Sequence, residues 1–311
     1  MRSRFAKTLL KLSFGAIILV VIILKVPRES VLLSLKEARP PFFLLALGIY
    51  LGGQVLSAYK WRLLAEPLGF HRPFKDFVAF YFIGMFFNLF MLGSIGGDVY
   101  RAALLAGTEK SRMRSAYSIL AERYTGGVAL LSFCALSVTL FFRDSLPLSL
   151  RTSVLGGLIL GWILLLTLPG LVRAFPWLGK LARKVKLEDF TIYWERPKRG
   201  LWVLGLSFCF HTINILTVAL LGTALGIKVP LAAYFFIVPV VDIISTLPLS
   251  ISGLGLREGG YVFMFKLLGI EAAKGFACGL LVLAVVLISG LMGAIVYFLS
   301  DYPVVLRRKR G

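Results

Sequence analysis

The sequence predicts an all-α integral membrane protein, with about six full spans and two oppositely oriented re-entrant hairpins in an inverted-repeat arrangement. Composition is the first reason. Hydrophobic residues make up 58% of the chain and charged residues 16%, with a mean hydropathy of +0.86. Several apolar runs reach about 20 residues, the length that crosses roughly 30 Å of hydrocarbon. The second reason is a pair of matching breaks in apolar runs. Ser94, Ile95, Gly96, Gly97, Asp98, Val99, Tyr100, Arg101 and Ser250, Ile251, Ser252, Gly253, Leu254, Gly255, Leu256, Arg257 share Ser, Ile, a small residue, Gly, three variable positions and Arg. The third is a net charge of +20, from 35 basic and 15 acidic residues, which the positive-inside rule places on cytoplasmic loops.

These features exclude other classes. Nucleic-acid binding would use the same charge, but no polar domain presents it, so no nucleic-acid partner is expected. Cys134, Cys209 and Cys278 lie inside apolar runs and read as packing residues. No metal-ligand spacing is present, and neither a metal nor a cofactor is expected.

In chain order, Arg2, Arg4, Lys7 and Lys11 precede an apolar stretch, 12–24, with no small-x-small cleavage site after it. It reads as a retained first span with a cytoplasmic N-terminus. Residues 26–41, with Pro27, Pro40 and Pro41, read as an external loop. A second span, 42–59, exits at Lys60, Trp61 and Arg62, an interfacial anchor. Residues 77–106 read as the first hairpin: a full crossing would put Lys110, Arg112 and Arg114 outside. Further spans are expected at 117–142, with Glu122 and Arg123 in its first turns, and at 154–171. Residues 173–199 follow as a basic cytoplasmic loop, holding eight basic residues against three acids. Part of it reads as an amphipathic helix on the inner leaflet or as a solvated loop. A sixth span, 201–221, contains His211 and Asn214. Residues 231–268 read as the second hairpin, entering from outside, because only then does the last span, 276–299, return Arg307, Arg308, Lys309 and Arg310 to the cytoplasm.

Broken helices at matching positions in two inverted halves point to a transport site near the bilayer midplane. Irregular backbone there must be covered by protein or line an aqueous cavity. Small residues such as Ser94, Gly96, Gly97, Ser252, Gly253 and Gly255 let backbone approach a ligand, and amides at a helix start attract anions. Arg101 and Arg257 add planar donors suited to phosphate. Each candidate has a structural alternative. Arg101 pairs with Asp98 one turn away, and Arg257 has Glu258 beside it. Glu122 and Arg123 suit a helix end, and Asn88 suits a cap. Asp242 has no base within two turns, so it pairs with a distant arginine or relays protons. His211 and Asn214, three apart, form a polar packing contact or a relay.

Asn88, Gly96, Gly97, Asp98 and Arg101, with Glu122, Arg123 and the run Gly253, Leu254, Gly255, Leu256, Arg257, Glu258, resemble the lysylphosphatidylglycerol synthase transmembrane family. This flippase-like domain is similar to the membrane half of bacterial multiple-peptide-resistance factors, and the resemblance covers about residues 8 to 300. Where relatives carry proline before the first glycine pair, this chain has Met91, Leu92 and Gly93. The resemblance implies translocation of an anionic or phosphate-bearing lipid across the cytoplasmic membrane of a prokaryote. Asp98, Arg101, Arg257 and Glu258 would line the path, membrane lipids would be the partners, and a homo-oligomer is compatible. The chain stops at Gly311 without the soluble synthase domain of those factors, so aminoacyl transfer is not expected. Glycosyl transfer onto a polyprenyl phosphate, or a scaffold role for a separate synthase, are the alternatives. Asp98, Glu122, Asp242 and Glu258 form no Asp-x-Asp pair for the former.

Overall fold

The computed structural model describes residues 24, 26–90, 95–107, 112–140, 148–174, 192–193, 196–246, 250, 252–300 and 302. Among them are ten α-helices and no strand, an all-α membrane protein. They are α1 (Arg28–Lys36), α2 (Pro40–Ala65), α3 (Phe74–Asn88), α4 (Ile95–Ala106), α5 (Arg112–Leu140), α6 (Leu148–Ala174), α7 (Pro197–Ala224), α8 (Leu231–Thr246), α9 (Leu256–Leu267) and α10 (Ala272–Leu299). Four of them, α2, α5, α7 and α10, are long and apolar enough to cross a membrane. The helix expected at 154–171 is the 27-residue α6. The expected span at 12–24, except for Leu24, lies outside the described residues, as does most of the basic loop after α6.

Proline explains two helix starts, and with them one departure from the sequence reading. Pro40 and Pro41 occupy the first turn of α2, where a missing N–H costs nothing. Residues 26–41 are therefore not an extended loop. They fold into α1 behind Pro27, with Glu29 in its first turn and Lys36 in its last, each charge complementing the helix dipole. α2 also runs six residues beyond the expected exit at residue 59, which buries Lys60 and Trp61 at 2% and 0% exposure instead of placing them at the interface.

The long helices form an antiparallel scaffold. α2 and α7 stay in register along their length: the Arg39 N–H donates to the Ala224 carbonyl (3.0 Å) at one end, and Arg199 pairs with Glu66 (3.6 Å) at the other. α5 crosses both. Trp61 Nε1 donates to Ser118 Oγ (2.9 Å), and a Cβ on Gly126 would lie 3.3 Å from His211 Nε2.

Two helical hairpins pack onto this scaffold. In the first, α3 and α4 are antiparallel and in close contact. Gly84 faces both Gly97 and the Arg101 side chain, and Asn88 Oδ1 accepts the Gly97 N–H (2.7 Å). In the second, α8 and α9 are antiparallel, with Gly260 against Val241 and Gly253 against Ser245. With 12 to 16 residues each, these half-helices span about 18 to 24 Å, short of a roughly 30 Å hydrocarbon layer.

α10 touches both hairpins and reveals their relative direction. Gly275 packs against Tyr261 and Val262, and Gly279 against Glu258. Further along, Gly290 packs against Leu89 and Gly293 against Phe82 and Phe86. The hairpins thus reach α10 from opposite ends with their tips near its middle. Each carries its own apolar cluster: Trp61, Phe77, Phe80, Ile83 and Leu105 around the first, and Ile215, Ile237, Val241, Tyr261 and Phe265 around the second. Leu45, Ile159, Leu166, Leu201, Leu291 and Phe298 are more than half exposed, as lipid-facing side chains are.

Candidate functional site

The first hairpin tip ends in a buried ionic cluster. α4 presents Asp98 and Arg101 one turn apart, and α5 brings Glu122 and Arg123 against them. The Arg101 guanidinium, 6% exposed, pairs with Glu122 and sits 3.5 Å from Asp98. It lies between the Trp61 and Tyr81 rings, 4.2 Å from each centroid, an arrangement that suits a planar, weakly hydrated cation. The second Glu122 oxygen accepts from Ser57 Oγ (2.9 Å), and Ser57 in turn accepts from the Tyr81 hydroxyl (2.8 Å). Lys60 Nζ donates to the Glu122 carbonyl (3.4 Å) and to Ser207 Oγ (3.3 Å). Arg123 pairs with Asp98. A charge withdrawn from water costs several kcal/mol unless paired and hydrogen-bonded, and Arg101 and Glu122 satisfy each other.

The second tip is built differently. Ser252, Gly253 and Gly255 take left-handed backbone (φ 54°, 73° and 82°) and turn the chain into α9. Glu258, 0% exposed, folds back so that Oε2 accepts the Gly255 N–H (2.6 Å), closing the first turn as a capping box does. Arg257 Nη2 donates to the Ser252 carbonyl (2.9 Å). Its Nη1 is buried without a hydrogen-bond partner, and it forms no ion pair with a carboxylate among the described residues. Ser250 Oγ, also fully buried, has no partner among the described residues either. Asp242 accepts from Asn214 Nδ2 (2.7 Å). Arg257 is near enough to act on Asp242 electrostatically, as it does on Tyr50 and Tyr261.

The candidates thus separate into two groups. Asn88, Gly96, Gly97, Asp98, Arg101, Glu122 and Arg123 belong to the first tip; Asp242, Ser252, Gly253, Gly255, Arg257 and Glu258 belong to the second. Ser94 lies outside the described residues. Arg101 has a closer partner than Asp98: Glu122, 21 residues later, which stands in the third turn of α5 rather than its first. Ser57 and Tyr81 carry no sequence signal of their own, and Lys60 reads from the sequence only as part of an interfacial anchor. Ser57, Lys60, Trp61 and Leu64, at helical spacing, were the available signal that a buried face continued there.

Polar residues recur along α2 and α7 between the levels of the two tips. Tyr50, Gln54 and Ser57 stand at helical spacing on α2, and Asn214, His211 and Ser207 at helical spacing on α7. Tyr50 and Asn214 stand at the second tip, and Ser57 and Ser207 at the first. Seven residues of helix separate the two levels on each side, about 10 Å. The two helices are tightly packed here, since a Cβ on Gly53 would meet Ile213 at 2.9 Å.

Comparison with known proteins fits this architecture. The family model described as "Lysylphosphatidylglycerol synthase TM region" matches residues 8–296. A UPF0104 membrane protein of Methanocaldococcus jannaschii is 25% identical over 225 residues, covering 70% of this chain and 95% of the relative.

Proposed function

Because the chain belongs to the lysylphosphatidylglycerol synthase transmembrane family, we propose that it is a lipid translocator that carries an anionic or phosphate-bearing lipid across the cytoplasmic membrane. The head group binds at the second hairpin tip while the acyl or isoprenoid tails stay in the bilayer. The observation that carries this reading is the Nη1 of Arg257, buried at the start of α9 with no hydrogen-bond partner among the described residues. Such a cation is costly at membrane depth without a ligand or partner, and a phosphate oxygen satisfies it with a charge-assisted bond.

The first tip holds the counter-element. Arg101 is neutralised by Glu122 and Asp98 and serves to fix the hairpin, with Arg123 at its exposed edge. Both hairpins re-enter the bilayer without crossing, as an inverted pair. Alternating access follows from rocking one against the other across α10, with both termini on the cytoplasmic side.

Vesicles containing fluorescent phosphatidylglycerol, with dithionite quenching of the outer leaflet, test the reading. Wild type makes the inner-leaflet label accessible; Arg257→Ala slows this by at least about tenfold, the scale of one lost charge-assisted bond. Equal rates for both proteins, each monodisperse and folded, would overturn the assignment.

A further inference from the structure

We infer that head-group binding at Arg257 is coupled to protonation of Asp242, so that the anionic cargo travels together with a proton. The inference rests on the site proposed above and specifies what drives it. Asp242 is the acidic side chain on the broken helix α8, and its Oδ2 accepts from a neutral donor, Asn214 Nδ2 (2.7 Å). Its compensating charge is Arg257, which acts on it electrostatically but lies beyond ion-pair distance. Arg257 is therefore shared between Asp242 and any anion that arrives.

The other groups around Asp242 do not relieve that competition. α2 contributes Tyr50 and α7 the amide of Asn214; α9 contributes Arg257, Tyr261 and Glu258, which acts on Tyr261. Toward α10, Cys278 faces Tyr261. α5 meets the outer end of α8 through the uncharged Ser137, which donates to the Ala232 carbonyl. Glu258 is held at the α9 cap through Oε2, its buried Oε1 having no partner among the described residues, and it is the acid to be distinguished from Asp242 by experiment; the two tyrosines ionise near pH 10 in ordinary surroundings. Asp242 is left as the group whose charge conflicts with an anion on Arg257.

The linkage is reciprocal. An anion on Arg257 removes the charge that compensates the Asp242 carboxylate and sets a second negative charge beside it, so proton affinity at Asp242 rises. Equally, a protonated Asp242 leaves Arg257 free for the anion. Anion affinity is then highest at low pH and falls as pH rises through the titration range of Asp242, by at most about tenfold per pH unit. The proton enters from the aqueous phase to which the site is open and leaves with the cargo on the other side.

Equilibrium binding to the detergent-purified full chain tests this, with dioctanoyl phosphatidylglycerol as the probe at pH 6, 7 and 8, and with inorganic phosphate and dioctanoyl phosphatidylcholine in parallel. The expected wild-type result is phosphatidylglycerol affinity that falls with pH, accompanied by proton uptake that a pH dye registers. Asp242→Asn, close in shape and unable to ionise, binds more tightly than wild type at pH 8 and loses both the pH dependence and the proton uptake. Glu258→Gln, which retains the capping geometry, keeps both. Equal pH dependence with inorganic phosphate alone supports the coupling and identifies a free anion as the cargo. Binding without pH dependence overturns the coupling and leaves the site reading intact. Loss of pH dependence in Glu258→Gln and not in Asp242→Asn overturns the assignment to Asp242. Failure of phosphatidylglycerol and phosphate to bind, or phosphatidylcholine binding as well as phosphatidylglycerol, overturns the site and the coupling with it.

Discussion

Arg101 and Arg257 occupy matching places in matching sequence breaks, yet their surroundings differ. Arg101 has one carboxylate on its own helix, a second on α5, and two aromatic rings 4.2 Å from its guanidinium. Arg257 has a backbone carbonyl and an open nitrogen. Motif spacing shows that an arginine ends each break; it is silent on what α2, α3 and α5 bring to one of them. Glu122, 21 residues from Arg101, belongs to no local pattern, and Lys60 sits beside Trp61 and Arg62 in what reads as an interfacial anchor. Such pairing predicts a particular pattern of losses. Glu122→Ala takes from Arg101 its nearest carboxylate and leaves it Asp98 alone, and should lower unfolding stability by about 3–5 kcal/mol, as should Arg101→Ala by removing the partner of the buried Glu122 carboxylate. The double variant should lose clearly less than the sum, because neither orphaned charge remains. Denaturant unfolding of the three proteins in one detergent measures this; additive losses would mean that the pair does not act as a unit.

At the scale of the element, the hairpins depend on small residues that allow backbones to approach. A Cβ on Gly97 would collide with the Gly84 carbonyl and lie 2.7 Å from the Asn88 side chain, whereas one on Gly127 in α5 meets nothing within 4 Å. Gly97→Ala should therefore cost about 1–3 kcal/mol through overpacking, and Gly127→Ala should gain up to about 1 kcal/mol from helix propensity. Thermal melting of the two variants separates these outcomes by sign, and a stabilised Gly97→Ala would contradict the hairpin contact. The base of the first hairpin carries a second device. The Tyr302 hydroxyl donates to Asp76 Oδ1 (2.8 Å), and its ring meets Phe80 edge-on at 5.0 Å. Burial, followed by the bond to Asp76, pushes the Tyr302 hydroxyl up to about 12. The folded protein thus keeps this proton where the unfolded chain, near 10, has lost it, so the latch's contribution is present below about pH 10 and disappears between about 10 and 12. Tyr302→Phe should remove that alkaline step, seen in the pH dependence of unfolding from pH 9 to 12. The two antiparallel helix pairs were legible in the sequence because Gly-rich breaks mark their turns. α1 was not, since nine residues between prolines carry too little apolar periodicity to outweigh the breakers.

At the scale of the molecule, direction is the informative property. Hydropathy locates the long helices, and loop charges suggest which ends share a side, but the opposed entry of the hairpins rests on where each meets α10. The first has its base with the α2 end at Arg62, the α7 start at Arg199 and Tyr302 after α10. The second has its base with the α7 end at Ala224 and the α10 start. Lys75 at the first base and Lys228 at the second are both exposed, and neither enters a described ion pair or hydrogen bond, so cysteine there reports accessibility without disturbing the fold. If α7, with hydropathy and length for a full crossing, separates two aqueous phases, the two bases must face opposite sides. Basic residues gather at the first base, with Arg62, Arg72, Lys75, Arg112, Arg114, Lys198 and Arg199, and by the positive-inside rule we propose that side as the cytoplasmic one. In a cysteine-free background, an impermeant maleimide should label Lys228→Cys in intact spheroplasts and Lys75→Cys only after lysis. Labelling of both from one side would abolish the opposed arrangement and, with it, the geometric basis for alternating access. The reverse pattern would keep the opposition while inverting the membrane orientation, and would then place the Arg257 tip on a hairpin that opens from the cytoplasm.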